Sequence, residues 1–368
     1  MSSLKVGIVG LPNVGKSTLF NALLKKQQAF VANFPFATIE PNIGVVPVPN
    51  EKLCELGLVT KESEGMNSLP PEVPATCEFV DIAGLIAGAH KGEGLGNKFL
   101  SYIREVDAIC HVVRLFTDND IIKSGSVEPK SDFKTIETEL KLADLQTLEK
   151  QKDPGNTPNK DLRLWWNVVT KLRESLEKGI AAKLVELNDE EKVIAKQLSL
   201  LTLKPILIAL NVDESNLVNA SEIEQKWAKE LAVQNDQVVV ISAKIESELA
   251  SLAVEEQIQY LKDLGVIESG LERLIKKAFS TLGLITFLTA GEKEVRAWTI
   301  KDGSNAQRAS GVIHTDFEKK FIKADVCAFD DFVAAGGWKK AREFGKVRSE
   351  GRDYIMRDSD VVEFKIGS

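Results

Sequence analysis

Near the start of the chain a lysine stands between a glycine loop and two hydroxyls, in Gly10-Leu-Pro-Asn13-Val14-Gly15-Lys16-Ser17-Thr18. The spacing G-x-x-x-x-G-K-S is that of a phosphate-binding P-loop. Its glycines let the backbone wrap an anion with N–H groups turned inward, Lys16 neutralises β- and γ-phosphate oxygens, and the Ser17 hydroxyl can ligate Mg²⁺. A second motif, Asp81-Ile-Ala-Gly84, reads D-x-x-G at the end of the apolar run Thr76–Val80. Asp81 would hold the metal through water, and Gly84 would let its N–H approach the γ-phosphate. Alone, D-x-x-G is common by chance; after a P-loop and at a strand end it carries weight. Thr38, in the proline-bearing stretch Ala29–Asn42, is the hydroxyl expected to close over the γ-phosphate and its metal.

The residues that should handle water and base depart from the usual GTPase set. Leu85 follows Gly84, where many GTPases carry a glutamine that orients the attacking water, and leucine cannot do so. The glycine-rich loop Gly88–Asn97 carries His90, which is either a water-orienting group or a solvated loop histidine. At the base end the chain has Asn211-Val212-Asp213-Glu214 in place of N-K-x-D. A carboxylate there pairs with the N1–H and N2–H₂ donors of guanine. The longer Glu214 disturbs that bidentate fit, and an unpaired polar contact costs about 1–3 kcal/mol, or one to two decades of preference. Adenine therefore becomes the expected base, with Asn211 bracing the loop and Ser242-Ala243 lying where a base meets backbone.

These residues need strands and helices to hold them. Leu4–Val9, Thr76–Val80, Asp107–Arg114, Lys204–Leu210 and Val238–Ile241 are apolar runs suited to a buried parallel sheet, and Ser17–Leu24 continues the P-loop with helical spacing. His111, inside one of these runs, reads as a core histidine. Ile43–Val48 is an edge strand weakened by proline, and residues 59–75 read as a connector. Phe133, Ile136, Leu140, Ala143 and Leu145 predict one helix, and Trp165, Val168, Val169 and Leu172 predict a second over 162–178, after the break Asp153–Pro158. They make an inserted helical hairpin, either a buttress or a protruding binding surface. Residues 255–282 are helical in pattern, and a separate small unit follows with strands at 284–289, 294–300 and 360–366.

The 368 residues allow two or three domains. The formal charge of −7 excludes a chain that coats nucleic acid by bulk charge, so any RNA contact needs a local patch. Lys339, Lys340, Arg342, Lys346 and Arg348 form such a run, which is either that patch or a solvated helix face. The four cysteines form no C-x-x-C pair and read as reduced thiols. With no signal peptide and no apolar run approaching the roughly 20 residues that span a bilayer, the expectation is a cytoplasmic protein with no membrane partner.

Taken together, residues 10–18, 33–42, 81–85, 92–97 and 211–214 resemble the motifs of the YchF family of Obg-like ATPases, and the resemblance runs nearly end to end. It implies an α/β fold: a Ras-like P-loop domain over 1–130 and 201–282, a coiled-coil-like helical arm over 131–200, and a C-terminal β-grasp (TGS) domain over 283–368. It also implies slow, Mg²⁺-dependent hydrolysis of ATP in preference to GTP. Further expectations are a water-handling role for His90, a K⁺ site beside Asn13, and association with the ribosome, as its large subunit or whole, and with RNA. The Mg²⁺ ligands would be Ser17, Thr38 and Asp81, and the nucleotide contacts Asn13, Val14, Gly15, Lys16, Ser17, Thr18, Gly84, Asn211, Val212, Glu214, Ser242 and Ala243. Two alternatives stand beside this: a GTPase with a degenerate base motif, and a ribosome-binding adaptor whose hydrolysis is incidental.

Overall fold

The computed structural model describes residues 4–33, 42–82, 95–116 and 128–367. Thr38, Gly84, Leu85 and His90 lie outside them. The chain runs through β1 (Lys5–Val9), α1 (Lys16–Asn33), β2 (Ile43–Pro47), α2 (Glu51–Ser63), β3 (Glu72–Val73), β4 (Thr76–Asp81), α3 (Leu95–Glu105) and β5 (Ala108–Arg114). Three helices follow, α4 (Pro129–Glu149), α5 (Lys160–Glu177) and α6 (Asp189–Gln197). Strand and helix then alternate as β6 (Ile206–Asn211), α7 (Ala220–Leu231), β7 (Val238–Ile241), α8 (Ala243–Leu249), α9 (Val254–Asp263) and α10 (Gly270–Thr281). The last stretch holds β8 (Leu284–Ala290), β9 (Val295–Lys301), α11 (Ala306–Ile313), α12 (Thr315–Lys319), β10 (Phe321–Cys327), α13 (Phe329–Ala335), α14 (Trp338–Glu343), β11 (Arg348–Glu350) and β12 (Val361–Ile366).

Continuous apolar runs become the centre of the first sheet, ordered β2-β4-β1-β5-β6-β7. β1 pairs in parallel with both β4 and β5, and β5, β6 and β7 pair in parallel in turn. Strands covered on both faces have no polar side to show, which is why every residue of β7 is buried. His111 is buried within β5 and stacks on Phe133 of α4 with ring centroids 5.3 Å apart. Residues 255–282 are not one helix: α9 and α10 are separated at 264–269, where Gly265 takes a left-handed φ of 72°.

Between β5 and β6 the sequence predicts two helices; the described residues there hold three α-helices, because α6 starts at a capping box between Asn188 and Glu191. Nor does α4 stand apart from the sheet. Ile136, Leu140 and Ala143 pack in one core with Val9, Ile103 and Ile109, Phe133 packs in another with Ile208 and Leu210, and the far end, at Leu148, joins a third with Val168, Leu172 and Leu198. A buried carboxylate fixes this helix to the chain that returns to the sheet: Asp144 accepts from Leu201 N at 2.7 Å, Thr202 N at 2.8 Å and Thr202 Oγ1 at 2.7 Å. Burial raises its pKa, and the three hydrogen bonds oppose the rise.

The chain divides into two compact units, Leu4–Val45 with Glu78–Thr281, and Val46–Cys77 with Leu282–Ser368. Sequence alone had assigned 46–77 to the nucleotide-binding domain and 59–75 to a connector. Instead α2 begins at the N-cap Asn50, buries Leu53, Leu56 and Thr60, and packs on β9, whose Val295 approaches within 3.8 Å of a Cβ built at Gly57. β3 pairs in parallel with β9 at the edge of the second sheet, ordered β11-β10-β12-β8-β9-β3. There β8 and β9 form an antiparallel pair and β12 runs parallel beside β8, the order of a β-grasp fold. Phe287, Ile300, Ala309, Phe321 and Val326 fill its core. Among the described residues, no helix is long and apolar enough to cross a membrane.

Removing the Asp144 clamp should show in stability. Asp144→Ala leaves two buried N–H groups unpaired, at a cost of about 3 kcal/mol, so its urea midpoint should fall well below that of the parent protein. An unchanged midpoint would show that the contact is not structural.

Candidate functional site

β1 has β4 on one side and β5 on the other, so the chain builds one half of the sheet, returns, and builds the other. Such a reversal opens a crevice at the carboxyl ends of parallel strands, where the following loops converge. The P-loop follows β1, Asp81 ends β4, Phe116 follows β5, Val212–Glu214 follow β6, and Ser242 follows β7. A cavity of about 1400 Å³ lies there, lined by Asn13, Gly15, Lys16, Ser17, Thr18, Phe116, Asn211, Val212, Glu214, Ser242 and Ala243 among others. Val14 and Asp81, also singled out by sequence, are not in its lining.

The loop's shape depends on its glycines. Gly15 has φ 96°, and a Cβ there would lie 2.2 Å from Asn211 Nδ2, so both backbone and space require glycine. Asn13 is also left-handed, with φ 63°. The Asn211 carboxamide ties two loops together: Nδ2 donates to Val14 O at 2.9 Å, and Oδ1 accepts from Ala243 N at 2.9 Å. That second bond occupies the Ala243 N–H, so a base cannot take it.

The lysine at the phosphate end of the site is buried. Lys16 is 9% exposed and donates to Leu11 O at 2.6 Å. Burial pushes its ammonium from about 10.5 down to about 8, with Asp81 pulling the other way. The Asp81 carboxyl is raised by burial and lowered by Lys16. Burial, reinforced by Lys16, drives His111 down to about 3, so it is neutral at any physiological pH. Ser17 and Asp81 are hard oxygen donors of the kind Mg²⁺ takes. Among the described residues there is no group of three or more His, Cys, Asp or Glu that could hold a metal unaided.

At the other end a few apolar side chains stand among polar ones such as Glu214, Lys244 and Glu248. Val212 is buried, and Phe116, Val218 and Leu264 join it in the lining. The Arg114 guanidinium covers the Phe116 ring at 4.4 Å and donates through Nε to Phe116 O at 3.3 Å. The sequence singles out Val212 but not Phe116, Val218 or Leu264; the signal for Phe116 was its place just beyond the carboxyl end of a buried parallel strand. Glu214 lines the cavity but is exposed, so the cost of leaving it unpaired comes due only when a base covers it.

The basic run of the C-terminal unit is largely neutralised. Arg342 pairs with Glu363, Lys346 with Asp331 at 2.9 Å, and Arg348 with Glu350 at 3.1 Å. Lys339 and Lys340 remain exposed on α14. Any anion-binding surface there is narrower than the five residues suggested.

A P-loop at the switch point of a parallel sheet, with a buried lysine and a carboxylate in electrostatic contact, defines a P-loop nucleotide-binding protein. A family model described as "50S ribosome-binding GTPase" matches residues 5–154, and the YchF-GTPase_C model, described as a protein of unknown function, matches 284–367. "Ribosome-binding ATPase YchF" of Bacillus subtilis is 48% identical, covering 99% of each chain. The protein of that name from Escherichia coli O157:H7 is 47% identical over 98% of each. A solved structure described as the YchF GTPase of Schizosaccharomyces pombe superposes with a TM-score of 0.85 at 35% identity, covering 99% of this chain and 98% of that one. The chain belongs to the YchF family.

The lowered Lys16 pKa has a pH consequence. Phosphate oxygens favour the charged ammonium, so a bound triphosphate raises the pKa again, and binding takes up a proton wherever the free site has lost one. Affinity should be flat below pH 7 and fall above about pH 8, by up to tenfold per pH unit. Calorimetric titration at pH 8.5 in two buffers of different ionisation heat should register the proton; identical heats would show that Lys16 stays charged throughout.

Proposed function

We propose that this chain is a Mg²⁺-dependent ATPase that works as a slow switch on the ribosome. The observation that carries the choice of base is Val212 and Glu214 at the base end of the cavity, where a guanine-selective site has lysine and aspartate. The names of the bacterial relatives, ribosome-binding ATPases, support the same reading. In it, Lys16 and the loop N–H groups from Gly15 to Thr18 hold the β- and γ-phosphates. Ser17 and Asp81 hold the metal, joined by Thr38 from outside the described residues. Bound Mg²⁺ supplies neutralisation of charge that develops on the phosphate oxygens. Gly84 contributes its N–H to the γ-phosphate. Asn13 is the position for K⁺.

Water is oriented by His90, since Leu85 has no group that can do it. The β-grasp unit serves as a TGS domain, meeting the large ribosomal subunit or its RNA through Lys339 and Lys340. Such a protein works in the cytoplasm, where ribosomes are. A GTPase reading is favoured by two observations: Glu214 keeps a carboxylate at the base end, and the Schizosaccharomyces pombe relative is described as a GTPase. In the adaptor reading, Lys16→Ala would leave ribosome binding and cellular role alike untouched.

Competition between ATP and GTP for the Mg²⁺-loaded protein, with and without ribosomes, separates these readings. ATP should bind tighter by one to two decades, and ribosomes should change nucleotide affinity; tighter GTP would overturn the choice of base. His90→Ala should lower turnover by roughly 100-fold or more while nucleotide affinity stays the same. Unchanged turnover would remove His90 from the mechanism.

A further inference from the structure

Seven residues make α8, too few to hold a helix in place without partners, yet this helix starts inside the cavity wall with Ala243. Its first N–H is fixed by Asn211, which also holds the phosphate loop at Val14. Its other end is fixed by a side chain from α1. Lys25 Nζ donates to Ser247 O at 3.1 Å and to Ser251 Oγ at 2.8 Å. That carbonyl has lost its regular helical partner, because Ser251 N turns to Glu248 O at 3.0 Å, and it also accepts from the Ser251 hydroxyl at 3.3 Å. A lysine at the carboxyl end of a helix adds a charged donor to such a carbonyl and meets the negative end of the dipole.

We propose that Lys25 is a positioning residue for base recognition: together with Asn211 it clasps α8 at both ends to the loop and helix that bind phosphate, and so sets where Ser242, Ala243 and Lys244 meet the base. Phosphate is held at the start of α1, by groups anchored on β1 and independent of Lys25. Base and phosphate therefore respond differently when the clasp is opened. When Lys25 is lost, Ile245 and Leu249 still pack in the core and Glu246 still holds the backbone of Gly270 and Leu271. The last turn of α8 is then no longer tied to α1, and the base-facing residues can shift against the phosphate loop. Looseness of about 1 Å in a site's supporting residues is enough to impair it. The proposal rests on the nucleotide reading above, but not on which base is preferred.

Its test compares Mg²⁺-ATP with inorganic tripolyphosphate, which has phosphates and no base, on the full chain. The ratio of the two dissociation constants reports what the nucleoside adds. In Lys25→Met that ratio should fall at least fivefold while tripolyphosphate affinity stays within twofold of the parent, and Lys25→Arg should restore it. An unchanged ratio, or equal weakening of both ligands, would overturn the proposal. Should Lys25→Met fail to fold, Ser251→Ala removes one acceptor from the exposed side of the clasp. A lowered ratio there supports the idea and an unchanged one sinks it. If the parent protein prefers GTP, the ATPase reading fails, and the same ratio measured with GTP still decides the clasp.

Discussion

The side chain of Asn211 faces two ways, donating to the carbonyl of Val14 and accepting from the N–H of Ala243. Both bonds are buried, so each satisfies a backbone group that would otherwise be stranded. They join the loop after β1 to the end of β6 and the start of α8. Space follows from the same contact. Gly15 has no room for a Cβ because the carboxamide occupies it. The phosphate loop and the base loop are thus built around one amide group.

Around that amide the electrostatics are arranged for an anion. Lys16 and Asp81 are both buried enough to be pushed towards neutrality, each resisting the push on the other. A lysine that is costly to keep charged gains most when phosphate oxygens arrive. His111, close enough to feel Lys16 and held neutral in the sheet, adds no competing charge.

Much of this was legible in the sequence, and the reasons are local. The P-loop has fixed spacing, and buried parallel strands such as β7 leave unbroken apolar runs. The missed features depend on partners far away in the chain. Nothing near Asp144 says that its carboxylate will meet Leu201 and Thr202. The C-terminal run reads as strongly basic because Glu363 and Asp331, which pair with Arg342 and Lys346, lie outside it. Phe116 lacks a motif and gains meaning only from the strand order that brings β5 beside β1. The short elements α11 to α14 have too few turns to display a period. At 46–77 the sequence showed a proline-rich passage and hid the helix α2, whose apolar face makes sense only against β9.

That last passage has a consequence for how the protein can be taken apart. The C-terminal unit is discontinuous: it borrows α2 and β3 from a stretch that the chain makes between α1 and Asp81. A chain ending at Thr281 would leave α2 without β8 and β9, against which it packs, and β3 with no strand to pair with. Exposed apolar surface and a free strand of this kind invite aggregation. The unit therefore cannot be moved between proteins as a terminal cassette. Any recombination that gained or shed it in one piece had to carry an insertion inside the nucleotide-binding unit along with the tail.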